Sequence, residues 1–112
     1  MRLDFVNMEA ERIPHMRGGE KEVALKSYSD GKNKIMLGRL IPGATIGLHT
    51  HETNSETVYI LSGTGKMLCD GVYEDLAPGV CTYCPKGHQH SLMNDNPEGS
   101  EDLVFFAVVP EQ

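Results

Sequence analysis

Glycine and proline cut this chain into short pieces, and that punctuation limits its fold more than any other feature. Twelve glycines and six prolines are spread along 112 residues. Between them apolar and polar side chains alternate, which is the period of a half-buried strand and not of a helix. We expect an all-β chain with strands over Glu22–Ser29, Lys34–Ile41, Thr45–His51, Glu56–Ser62, Lys66–Cys69, Val72–Leu76, Val80–Cys84, His88–Asn94 and Asp102–Val109. Asp70-Gly71 between two of these runs suits a two-residue hairpin turn, which needs positive φ at both central positions. Asp30-Gly31 opens a second turn. Strands this short and numerous close most economically into a small barrel or sandwich that leaves few edges unpaired. Residues 1–20 read as an arm or edge strand of the same domain, able to reach a partner subunit, and residues 21–112 as a single domain.

Several function classes are excluded at this level. The chain has 10 basic and 16 acidic side chains, a formal charge of −6, which disfavours nucleic acid as a partner. Its longest uninterrupted apolar run, Leu103–Val109, is far shorter than the roughly 20 residues of a membrane helix. Asp4, Glu9 and Glu11 stand where a secretory signal would be apolar, so we expect a cytoplasmic protein with reduced thiols. Three cysteines cannot all pair. The Leu103–Val109 run is apolar at both parities, so a strand there buries both faces. One face meets the core, and the other meets either the N-terminal arm or a twin subunit, which makes a homodimer the expected assembly.

The chemistry concentrates in the histidines. Four of the five form two pairs with one residue between, His49/His51 and His88/His90. Residues i and i+2 of a strand share a face, so two imidazoles about 6 to 7 Å apart can converge on one ion. Strict alternation sets His49 and His51 opposite to Ile46 and Leu48. Glu56 opens the next strand beyond a polar turn, and a hairpin returns it beside the pair. His88 and His90 share parity, so spacing alone leaves both open as the further ligand. Imidazoles with one carboxylate suit a single divalent transition metal ion, whether iron, manganese, zinc, nickel or copper, better than calcium or magnesium, which favour all-oxygen shells.

These residues resemble a known family. Gly43, His49, His51, Glu56 and Gly63 spell G-x5-H-x-H-x4-E-x6-G, and Gly79, Pro85, Gly87, His90 and Asn94 spell G-x5-P-x-G-x2-H-x3-N. The pair is similar to the two motifs of the cupin superfamily, here in a small single-domain form. From this chain's own residue frequencies the first pattern arises by chance about two times in a million starting positions. The resemblance implies a jelly-roll-like double-stranded β-helix, a conical barrel of two antiparallel sheets, holding one metal ion through His49, His51, Glu56 and His90. Gly43, Gly63 and Gly79 are then turn residues, and Pro85 sets the entry to the strand bearing His90. Four protein ligands on an ion that accepts six leave two positions for a small oxygen-rich molecule. That points to a metal-dependent enzyme of dioxygenase, decarboxylase, isomerase or lyase type; the alternative is a non-catalytic module that binds or senses a sugar or other small ligand.

Other residues read as structure. Cys81 and Cys84 are three apart and would face opposite ways on a strand, which argues against a metal or redox pair. Cys69 reads as a small apolar side chain. Met36, Met67 and Met93 read as soft core filling. Val58 and Ile60 share the parity of Glu56 and form an apolar wall beside it, with Tyr59 on the opposite face. Arg17, Lys26 and Arg39 are equal basic candidates for steering an acidic ligand, while His15 and Tyr83 have no assigned role.

Overall fold

The last strand organises the molecule. In the computed structural model, which describes all 112 residues, the apolar run becomes strand β10 (Leu103–Pro110), bonded on both edges. It is preceded by β1 (Glu11–Pro14), β2 (Glu22–Ser29), β3 (Asn33–Leu40), β4 (Thr45–Thr50), β5 (Glu56–Ser62), β6 (Gly65–Cys69), β7 (Val72–Leu76), β8 (Cys81–Cys84) and β9 (Gln89–Met93). Two antiparallel sheets form, one in the order β1-β2-β3-β10-β5-β8 and one in the order β4-β9-β6-β7. Strands distant in sequence become neighbours in both, giving the double-stranded β-helix. The sole helical piece is a 3-10 turn at Met16–Gly18, and no helix is long and apolar enough to cross a membrane.

Alternation decides what faces inward. Leu103, Phe105 and Ala107 of β10 are buried between the sheets with Val23, Leu25, Leu40, Val58, Ile60, Met67 and Leu76. Each large apolar side chain fully buried there contributes about 1.5–3 kcal/mol. Val104, Phe106 and Val108 point to the outer face and are half-buried. Phe5 of the N-terminal segment covers part of that face, its ring edge-on to Phe106 at 6.3 Å, and its carbonyl accepts from Lys26 Nζ at 2.7 Å. Tyr59, Leu61 and Tyr83 remain exposed on the same side.

Register separates a closed end from an open one. Leu40 opposes Leu103 at one end of β3, and Lys34 opposes Val109 at the other. The closed end is sealed by Asn94, fully buried, whose Nδ2 donates to the Leu40 and Glu101 carbonyls at 3.0 and 3.2 Å. The open end carries β5's start at Glu56 and the pairing of His49 with His90. The expected turns are present: Asp70 and Gly71 have φ of 48° and 81° between the paired Cys69 and Val72, and Gly43, Gly63 and Gly79 lie at φ of 81–92°.

One expectation fails in β4. The pairing with β9 shifts between Ile46 and His49, so strict alternation is interrupted there. Ile46 and His49 therefore line the same interior, while Leu48 is exposed. The cause is an extra residue at Gly47-Leu48, a β-bulge. A Cβ on Gly47 would lie 2.0 Å from the Arg17 carbonyl oxygen, and one on Gly19 would lie 2.0 Å from that of Thr45. The 3-10 turn is thus pressed backbone to backbone against the bulge, an approach only glycine permits.

Candidate metal centre

At the open end β4, β5 and β9 bring His49, Glu56 and His90 to one place, and His51, expected on the strand, joins them from the first residue after β4. Their ligating atoms all lie within 4.8 Å of one another, with His51, Glu56 and His90 buried and His49 half-buried. Glu56 Oε1 is 3.1 Å from His51 Nε2 and 2.9 Å from His90 Nε2, and the two nitrogens are 3.0 Å apart. The three imidazole rings stand edge to face with centroids 4.8–5.0 Å apart.

Hydrogen bonds outside the cluster fix where the imidazole protons sit. Glu111 accepts from Thr53 Oγ1 at 2.9 Å and, through Oε2, from Asn54 Nδ2 at 2.7 Å. With its amide donating to that carboxylate, Asn54 turns its carbonyl oxygen to His51 Nδ1, 2.5 Å away. An acceptor there requires that Nδ1 carry the hydrogen, which leaves the Nε2 lone pair facing the cluster. His49 follows the same rule: its Nδ1 donates to the Gly47 carbonyl at 2.7 Å. The bulge that docks the 3-10 turn therefore also orients an imidazole.

This arrangement fits a divalent ion. Donors about 2.1 Å from one ion and at right angles stand about 3 Å apart, matching the three separations among His51, His90 and Glu56. The charges agree as well. In the metal-free cluster burial pushes the Glu56 carboxyl up, but the neighbouring His51 and His90 imidazoles outweigh it and hold the group down at about 2, as a carboxylate. The neighbouring Glu56 raises His51, whereas burial lowers His49.

A cavity of about 90 Å³ opens over the cluster. That space accommodates a ligand of a few heavy atoms beside the cluster. Met36, Ile46, Val58, Leu92 and Phe105 form apolar walls, and Arg17, Lys34 and Asn54 bring the remaining polar groups. Residues 36–109 match the family described as Cupin domain, a stretch that contains both glycine-histidine motifs. The chain is a cupin.

Two relatives from Thermotoga maritima bear on the site of this cupin. An oxalate-binding protein is 38% identical over 105 residues, covering 88% of this cupin and 84% of that protein. A solved structure described as a predicted oxalate decarboxylase has a TM-score of 0.91 at 31% identity, with all of both chains covered. A polyketide cyclase from Streptomyces resistomycificus has a TM-score of 0.77 at 24% identity over 98% of this chain and 78% of that one, and shows the shared fold alone.

The remaining sequence candidates now separate. His90 is buried in the cluster, whereas His88 lies exposed before β9 with Nδ1 2.5 Å from Asp70 Oδ2. Among the basic candidates Arg17 lines the cavity. Lys26 is held by Phe5, and Arg39 pairs with Asp102 at 2.9 Å on the outer face. Tyr59 and Tyr83 point outward; Ile60 lies deeper in the core than the cavity wall, while Met36 joins that wall. His15 turns its Nδ1 to the Gly19 carbonyl at 3.1 Å. Cys81 is exposed and Cys84 buried, and burial pushes the Cys84 thiol up to about 11.

Sequence reasoning missed Lys34, Asn54 and Glu111. Lys34 shares the inward parity of Met36, a signal that was available. Asn54 lay in a segment read as a plain polar turn, and nothing local marks Glu111, which reaches it across 57 positions.

Proposed function

We propose that this cupin holds one divalent transition metal ion through His49, His51, Glu56 and His90, and binds on it a small oxygen-rich organic anion of the oxalate class. The observation that carries the reading is the convergence of three imidazoles, two of them with Nδ1 held by an acceptor, and a buried carboxylate beneath a small cavity. The names of the two Thermotoga relatives support the ligand class. A divalent ion bound here supplies a Lewis acid that polarises the oxygens of a chelating ligand. The protein's own groups do the rest. Glu56 offsets the cation's charge, Gly47 and Asn54 hold His49 and His51 in the ligating tautomer, and Val58, Leu92 and Phe105 exclude water, which strengthens every electrostatic contact inside.

Binding without turnover is the reading the lining supports best. Apart from the four cluster residues, the cavity presents no carboxylate, histidine or tyrosine to move a proton. A metal-dependent enzyme remains the second reading, favoured by Lys34, an amine at the cavity wall without an ion-pair partner. Elemental analysis of protein purified without added metal comes first, followed by calorimetry with oxalate and assays for carbon dioxide, formate and oxygen uptake. Stoichiometric metal and reversible oxalate binding with no product sustain the first reading, product formation moves the case to the second, and absence of metal binding defeats both.

We further infer a homodimer, supported by the exposed Tyr59, Leu61 and Tyr83 beside the half-buried outer side chains of β10. Sedimentation of wild type and Tyr59→Arg tests it: a dimer turned monomer agrees, and a monomeric wild type does not. The three unpaired cysteines support a reducing, cytoplasmic setting for one domain over 21–112 with 1–20 as its arm.

A further inference from the structure

We propose that Arg17 is the specificity-determining residue of this cavity, recognising the outward carboxylate oxygens of a small dicarboxylate whose inner oxygens lie on the His49, His51, Glu56 and His90 cluster. The inference rests on the ligand-binding reading above and deepens it to a substrate class, dianionic acids in preference to monoanionic acids of the same size.

The backbone is the first observation. His15 and Arg17 have φ of 50° and 55°, the left-handed region that residues other than glycine seldom occupy. Such a conformation persists only when its surroundings over-determine it, and strain of this kind gathers at functional sites. Here the over-determination is visible: Gly19 and Gly47 let the turn and β4 touch backbone to backbone, so Arg17 is fixed relative to the strand that carries His49. Met16 of the turn packs against the core, but Arg17 itself is exposed and buries no apolar surface that would offset its own strained backbone.

The second observation is charge. In a chain of net charge −6, Arg12, Arg39 and Lys66 each lie within 2.9 Å of a carboxylate. Arg17 has no hydrogen-bond or ion-pair partner for its side chain, and it lines the cavity. Lys34, across the cavity on β3, is likewise unpartnered. The planar guanidinium fork matches the two oxygens of a carboxylate, whereas the lysine ammonium adds a compact charge without that geometry. A site with a cation-binding floor and a fork at its rim is complementary to a ligand bearing oxygens at both ends.

The test compares oxalate with glycolate, which chelates similarly but lacks the second carboxylate. Calorimetry is run on Mn²⁺-loaded wild type, Arg17→Gly, Arg17→Ala and Arg17→Lys, after each variant's Mn²⁺ affinity is measured alone. Arg17→Gly is the decisive variant, because glycine adopts the left-handed turn without strain. The expected result is unchanged Mn²⁺ affinity, an oxalate-over-glycolate preference reduced about tenfold or more in the Gly and Ala variants, and partial recovery in the Lys variant. Retention of the full preference by Arg17→Gly, with Mn²⁺ bound normally, overturns the role of Arg17 and leaves the metal site standing. A wild type that binds Mn²⁺ but neither acid overturns the ligand reading and this inference with it.

Discussion

Removing the carboxylate of Glu111, far from the cavity in sequence, is expected to weaken metal binding. Glu111 Oε2 accepts from Asn54 at 2.7 Å, and Asn54 Oδ1 accepts from His51 at 2.5 Å, so the three groups act in series. Partners that orient a ligating histidine typically contribute 10- to 100-fold in metal affinity, or about 1.4–2.7 kcal/mol. Asn54→Ala removes the acceptor and takes the full loss. Glu111→Ala frees the Asn54 amide to rotate and takes most of it. Because the links share one path, the double variant should bind no more weakly than Asn54→Ala, leaving a coupling of about 1–2 kcal/mol in the double-mutant cycle. Thr53→Ala, which removes only the 2.9 Å bond to the other oxygen of Glu111, is the control and stays within about twofold. Competition against a fluorescent chelator measures all four affinities. Additive losses in the double variant, or wild-type affinity in Glu111→Ala, would refute the series.

Three further outcomes follow from the geometry. Glu56→Ala should abolish high-affinity metal binding in the chelator assay, while Glu52→Ala, in the exposed turn beside it, leaves it intact; equal effects would break the assignment of Glu56. Metal-free protein should lose stability as pH falls from 4.5 toward about 2, since the Glu56 carboxyl is held low in the folded state and its stabilisation is present only above the unfolded value. The raised His51 contributes below its ordinary 6.5 and is lost as pH rises through its folded value, so urea denaturation should show an acid-side optimum that Glu56→Gln flattens. Gly38→Ala would set a Cβ 2.2 Å from Phe105 Cζ, costing about 1–3 kcal/mol in thermal melts, and Phe105→Leu in the same chain should recover part of the loss.

Strand positions were legible because burial on one face imposes a period of two, and β2, β5 and β7 begin and end where the pattern places them. That His49, His51 and Glu56 would gather was legible in their strand spacing, whereas the choice of His90 over His88 rested on the motif resemblance. Two things were not. The bulge at Gly47-Leu48 lies against the backbone of Arg17, and a neighbour so remote leaves no mark on local alternation. The roles of Asn54 and Glu111 depend on β10 carrying its end past the loop after β4, a meeting that only the closed barrel creates.

Gly47 serves two masters, since its carbonyl accepts the hydrogen bond of His49 Nδ1 and its bare Cα lets the turn bearing Arg17 close against β4. The residue that aims the imidazole at the floor of the cup is thus the one that seats the turn carrying the rim arginine, so any side chain at position 47 would disturb both.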